Sequence, residues 1–291
     1  MMSTRTEKTE QILQLVQAKM PDTLVKHIEI DKNNHQKRQG LSICLKGSPQ
    51  SICIYWDSVF MSCGEDCQEE TIAAHICGIA REALMVTINK DMITKWEKAK
   101  YRVFKKVVNY KRNQERLQKV LHKKYLDLAE VYYLRVPLSE KGWGTCEISL
   151  PLLEKWHIQK EELIEQANVN MEQEGYQMIQ IQQYLTNHKI SIEGEGDIPC
   201  YLILNQRMEF AAGVITHPQI MKRFMEQIGS DGYLLPSSID EFLVVPALQG
   251  ISPDALSAMV QEVNQTVLSP GSFLSDHVYY CHKETGEVEI C

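Results

Sequence analysis

Residues 203–246, ILNQRMEFAAGVITHPQIMKRFMEQIGSDGYLLPSSIDEFLVVP, carry the punctuation that most limits what this chain can fold into. Pro218 suits the first position of a helix, where no backbone donor is needed. Ile220, Met221, Phe224, Met225 and Ile228 recur at helical spacing and define one apolar face, with Lys222, Arg223, Glu226 and Gln227 mostly opposite. Thr216 or His217 stands at the cap position. Gly229 follows the last apolar residue, where a left-handed conformation commonly closes a helix. Ser230-Asp231-Gly232 is a turn sequence. Residues 233–235 and the aromatic, β-branched run 242–245 read as strands. Proline cannot donate to a central ladder, so Pro236-Ser237-Ser238 reads as a strand end or bulge. The stretch is therefore expected to be helix, turn, strand, kink, strand, with the helix across the hairpin and Phe224, Leu243 and Val245 buried together.

The rest of the chain reads less sharply. A helix over 7–20, a strand over 24–30 and a polar loop over 31–40 come first. Strands over 41–45 and 51–56 flank Lys46-Gly47-Ser48-Pro49-Gln50 as a hairpin. A helix over 69–84 places Ile72, Ile76, Ile79, Ala80 and Ala83 on its buried face. Helices are expected over 93–100 and 111–121, with 101–110 open between strand and helix. A central strand over 125–136 turns at Gly142-Trp143-Gly144 into a partner over 145–150. Short helices over 152–156, 161–168 and 178–185 precede a loose SIEGEGD segment. Ser252-Pro253-Asp254 starts a helix as cap, first position and dipole-matched acid. A hairpin of 278–282 and 287–290 closes the pattern. The expected class is α+β: mixed, mostly antiparallel sheets with packed helices in two subdomains, 1–90 and 91–291.

Charge is distributed unevenly. Residues 94–124 hold twelve lysines and arginines against Glu97 and Glu115, a net of +10, so the other residues carry −17 within a chain of net −7. Trp96, Tyr101, Phe104 and Tyr110 are interleaved with these lysines. Aromatic stacking beside phosphate neutralisation is how single-stranded nucleic acid is held, which makes Lys105, Lys106, Lys111 and Arg112 candidate binding residues. The alternative is that the aromatics form a buried face and the lysines a solvated one.

Other constellations are weaker. Cys63, Cys67, His75 and Cys77 suggest zinc, but residues two apart on a helix point about 200° apart, so His75 and Cys77 do not converge on one ion. Glu193, Glu195 and Asp197 lack the spacing of a calcium loop. Ser237, Ser238, Asp240, Glu241 and His217 contain the letters of a hydrolase triad without a G-x-S-x-G elbow. A helix of about 16 Å separates His217 from the serines. The plainer reading has the serine hydroxyls satisfying groups left open beside Pro236. No phosphate-binding or dinucleotide loop occurs. The nine cysteines, odd in number in a chain of 291 residues, read as reduced thiols. No apolar run approaches eighteen residues and residues 1–11 lack an apolar signal core, so a cytoplasmic protein without a membrane partner is expected.

The segment GSDGYLLPSSIDEFLVVP resembles GSDLYILPSSIHEVLLVP, a signature of an uncharacterised bacterial family of unknown function common in anaerobic Gram-positive bacteria. VNQTVLSPGSFLSDHVYYCHKETGEVEI (263–290), VNYKRNQERL (108–117) and YLDLAEVYYL (125–134) resemble the same family. Asp240 stands where the resemblance implies a histidine, which argues against a general base at that position. The resemblance implies no activity, ligand or catalytic residue. The expectation is a non-catalytic binding or interaction protein, with no cofactor or metal and a partner left open between protein and nucleic acid. The alternatives are nucleic-acid binding through 94–124 and a serine hydrolase at Ser237 or Ser238.

Overall fold

Ile12 and Val16 lie one helical turn apart and are wholly buried, which fixes how the first helix docks. The computed structural model describes residues 2–48, 51–85, 90–137, 143–187 and 199–291. Its contacts divide the chain into two units, 1–89 with 136–144 and 90–135 with 145–291. The protein is α+β.

In the first unit, helix α1 (Met2–Lys19) packs on the antiparallel sheet β1 (Thr23–Asp31), β2 (Lys37–Leu45) and β3 (Ser51–Tyr55), with α2 (Trp56–Cys63) and α3 (Glu69–Met85) completing the core. Gln17 ties helix to strand, accepting from the Val25 N–H at 3.0 Å and donating to the Thr23 carbonyl at 3.0 Å. The loop expected over 31–40 is only a short connection, with a 3-10 turn at Asn33–His35, because Asp31 ends β1 and residues 37–40 already belong to β2. Asp31 pairs with Lys37 in register, and Lys37 lies 2.6 Å from Glu29. Polar side chains on an exposed ribbon end had the composition of a loop. The turn at 46–50 includes Pro49 and Gln50, which lie outside the described residues, as do Gly142 and the SIEGEGD segment. On α3, Ile72, Ile76 and Ala80 are buried as expected, while Ala73 and Cys77 take the seam and Ile79 is exposed.

The second unit opens with short helices α4 (Asp91–Thr94) and α5 (Trp96–Ala99), then β4 (Val103–Asn109), α6 (Gln114–Leu117), β5 (His122–Tyr125) and the greater part of β6 (Leu128–Pro137) and β7 (Trp143–Glu147), whose residues 136–137 and 143–144 are counted with the first unit. The four strands form one sheet in the order β4-β6-β5, with β7 also paired to β6. The helix expected over 111–121 is only a 3-10 turn at Lys111–Asn113 followed by α6. Helices α7 (Leu150–Trp156) and α8 (Lys160–Gln173) follow, then β8 (Gln177–Gln180), α9 (Ile181–Asn187) and β9 (Tyr201–Leu204). The helix expected over 178–185 is thus strand first and helix second, because β8 pairs with β9 at a sheet edge.

The stretch 203–246 folds largely as its punctuation demands. Helix α10 (Pro218–Ile228) ends at Gly229, whose φ is 79° and whose N–H reaches Met225 and Glu226 carbonyls. No side chain caps its start; the Thr216 hydroxyl donates instead to the Gly213 carbonyl at 2.9 Å. Strands β10 (Gly232–Pro236) and β11 (Phe242–Pro246) form the hairpin. Helix α11 (Pro253–Thr266), capped by Ser252, and strands β12 (Tyr279–Cys281) and β13 (Val288–Ile290) finish the unit. Its second sheet runs β13-β12-β10-β11-β9-β8, antiparallel throughout.

Strand alternation overturns one packing expectation. Leu234, Phe242 and Val244 share the core containing Phe224 and Met225 of α10. Leu243 and Val245 point to the other face, where Val245 is buried with Leu256 and Val260 of α11. Among the described residues, no helix is long and apolar enough to cross a membrane.

Candidate functional site

Both faces of β4 are covered, and this decides what its lysines do. The Lys105 ammonium lies 3.5 Å from Glu130, with the two side chains 2% and 3% exposed. It also donates to the Thr216 carbonyl at 3.2 Å, while Tyr132 donates to the other Glu130 oxygen at 2.6 Å. Burial lowers the Lys105 pKa, and the Glu130 charge opposes that shift. On the opposite face Lys106 lies 2.8 Å from Glu147, which also pairs with Arg116. Burial pushes the Glu147 carboxyl up, but Lys106 and Arg116 more than reverse it and leave its pKa lowered. The Lys106 ammonium also sits 4.7 Å from the centre of the Phe210 ring. Lys105 and Lys106, read from sequence as phosphate ligands, are therefore interior ion-pair partners. A strand covered on both faces has no solvated side for alternate lysines to occupy.

Lys111 and Arg112 stand differently. They follow β4 on an exposed turn, held by the Asn109 carboxamide, which accepts from the Arg112 N–H at 2.9 Å and donates to the Leu274 carbonyl at 3.0 Å. Lys119, and Lys123 and Lys124 on β5, are also exposed. Among the described residues none of these five cations has a carboxylate within ion-pair distance, whereas Lys95 and Lys98 share Asp91 and Lys100 holds Glu97. The Arg112 guanidinium stacks 3.5 Å from the Phe273 ring centre. Lys124 lies 5.1 Å from the centre of Tyr110, whose ring neighbours His122 at 6.5 Å. The exposed part of the basic segment thus combines uncompensated positive charge with aromatic rings on a fixed turn.

The serines belong to the hairpin end. Ser237 donates to Glu241 at 2.9 Å, and Ser238 accepts from the Asp240 N–H at 3.0 Å. Asp240 accepts from the Phe210 N–H at 2.8 Å. Burial raises the Asp240 carboxyl pKa, against the pull of that N–H and of Lys106. His217 is 3% exposed, and its ionic neighbour is Glu172 at 3.5 Å. The letters of the triad do not come together: the serines bond within their own turn and His217 faces Glu172.

Sequence reading missed the acids that organise this unit. Asp127 accepts from Ser275 and Tyr279, both at 2.7 Å. Asp231 accepts from Tyr280 at 2.8 Å and the Lys283 N–H at 2.7 Å. The Ile239 N–H reaches the Ser272 carbonyl at 3.1 Å. The segments that carry the family resemblance are therefore knitted together along residues 272–283. Only the turn residue Asp231 had a local signal.

Metal-ligand and thiol features are separate from this network. Cys63 and Cys67 pack against the first unit's core. Among the described residues no group of three or more His, Cys, Asp or Glu side chains is arranged to hold a metal; Glu193, Glu195 and Asp197 lie outside the described residues. All nine cysteines are free thiols. The first unit has a cleft of about 600 Å³ lined by Arg5, Lys37, Arg38 and Trp56. Its three cations already face Glu65, Glu29 and Asp57.

The elements and their pairing define an α+β protein built on antiparallel sheets. The chain belongs to the family of unknown function DUF5688, whose model matches residues 6–283. Neither the curated proteins nor the solved structures include a match to it.

Proposed function

We propose that this protein is a non-catalytic binding protein, acting in the cytoplasm, whose binding face is the exposed remainder of the basic segment and whose partner is a polyanion. One observation carries the reading: among the described residues, Lys111, Arg112, Lys119, Lys123 and Lys124 are exposed cations without carboxylate partners, whereas Lys95, Lys100 and Lys106 are each ion-paired. Uncompensated cations on a fixed turn attract phosphate or sulfate groups by releasing bound counterions. Tyr110, His122 and Phe273 support those cations from beneath. The hydrogen bonds of Ser237 and Ser238 favour binding over hydrolysis, because each hydroxyl is already engaged away from a histidine. Free thiols throughout agree with a reducing compartment.

Retention on immobilised heparin tests the proposal. The protein is expected to elute well above low salt, and a variant with Lys111, Arg112, Lys123 and Lys124 changed to glutamine to elute much earlier. Coelution of the two would remove the proposed face.

A further inference from the structure

We infer that a cavity beside α8 receives a planar heterocyclic base, so that the polyanion bound by the basic face is a single-stranded nucleic acid. This rests on the proposed binding face but is carried by different residues. The cavity, of about 230 Å³, is bounded by Tyr101, Phe104, Arg135, Gln173, Gln206 and Arg207, with Asn170 and Glu174 behind. It is smaller than the 300–1,000 Å³ usual for drug-sized ligands and suits one ring system.

Its rear wall is rigid. The Arg135 guanidinium, on a residue only 7% exposed, stacks 3.7 Å from the Phe104 ring centre and is ion-paired to Glu174. It also donates to the Tyr133 hydroxyl at 3.2 Å. Asn170 donates to the Lys100 and Val103 carbonyls at 2.7 Å each, pinning the segment that carries Tyr101 onto α8. The Tyr101 side chain remains 68% exposed, so it can lie against a ring entering the cavity.

The polar groups select the ligand. Gln173 and Gln206 are exposed carboxamides without hydrogen-bond partners among the described residues. Each offers both a donor and an acceptor, which matches the mixed edge of a nucleobase. An aliphatic or purely anionic ligand would leave the aromatic rings and one polarity of each amide unused. Strand β4, seven residues long, separates Tyr101 from Lys111. At about 3.3 Å per residue that is about 23 Å, the reach of a short oligonucleotide.

Nucleosides test the cavity independently of the basic face, because they carry no phosphate. Titration of the full chain with adenosine and with uridine, followed by NMR, is expected to shift Tyr101 and Gln206 saturably. Tyr101→Ala, at an exposed position, is expected to weaken binding about tenfold while its circular dichroism matches the parent. Absence of saturable shifts up to about 10 mM nucleoside, or equal affinity in Tyr101→Ala, would overturn the base site. In parallel, a single-stranded oligonucleotide should bind at least tenfold more tightly than an abasic strand of equal length, inorganic polyphosphate of equal charge, or an acidic peptide. Equal binding of these anions would overturn the base site while leaving the basic face intact. Absence of binding by every anion, with saturable nucleoside shifts retained, would overturn the basic face and the assignment of a nucleic-acid strand as the ligand.

Discussion

The Lys105 ammonium and the Glu130 carboxylate lie 3.5 Å apart within the second unit, nearly closed to solvent. They sit two residues out of direct register, since Lys105 pairs with Tyr132 and Glu130 with Val107. Strand alternation therefore places them diagonally on one face. This geometry removes Lys105 from the surface and makes its charge a feature of the core.

Lys105→Ala is expected to destabilise the protein by about 3–5 kcal/mol in a urea titration, because Glu130 is left buried without a counter-charge. The double variant Lys105→Met with Glu130→Gln keeps an acceptor for Tyr132 and should recover much of that loss. A cost under about 1 kcal/mol for Lys105→Ala would place the pair in contact with water.

His217 makes stability depend on pH. Burial lowers its pKa, the Lys105 charge lowers it further, and Glu172 opposes both. As pH falls, the unfolded chain takes up this proton before the folded chain does. Its contribution to stability is therefore full above the unfolded value of about 6.5 and is lost as pH falls from there through the depressed folded value. Denaturation midpoints at pH 7.5 and 5.5 should differ more in the parent than in His217→Gln. Equal differences would show that His217 titrates normally.

Phe224 tests which strand residues the α10 face meets. It shares a core with Phe242 and Val244, while Val245 packs elsewhere. Phe224→Ala should cost about 3–5 kcal/mol. Combined with Val244→Ala it should be non-additive by at least about 0.5 kcal/mol, and combined with Val245→Ala it should be additive. The reverse pattern would mean the hairpin presents its other face.

Gly286 holds the β12–β13 turn against the start of α10. Its φ is 71°, and a Cβ there would collide with the Pro218 carbonyl oxygen. Gly286→Ala should lower stability by at least about 1 kcal/mol through backbone strain, and by more through that clash. A neutral effect on thermal unfolding would mean the turn stands away from the helix.

The sequence made α10 legible because Pro218, the apolar spacing and Gly229 all act within one helix. It made the β10–β11 hairpin legible for the same local reason. It did not reveal which face of that hairpin meets α10, since alternation defines two faces without saying which helix covers each. The strands at β8 and β5 were also hidden: QMIQ continues without punctuation into α9, and HKKY is too charged to look like a strand. Of the candidate binding residues, Lys111 and Arg112 keep a place at the surface and Lys105 and Lys106 do not. The distinction depends on Glu130 and Glu147, distant in sequence, and nothing local to the lysines signals those partners.

The basic face is tested most directly by the salt dependence of oligonucleotide affinity. Log K for a fluorescent oligo(dT) should fall linearly with log salt concentration, with a slope of about −0.7 per neutralised phosphate. Changing Lys111, Arg112, Lys123 and Lys124 to glutamine should flatten the slope by about 0.7 for each of these cations that meets a phosphate. The folded Lys105→Met, Glu130→Gln variant should leave it unchanged. Binding that is absent at low salt, or a slope indifferent to the four surface changes, would contradict the account.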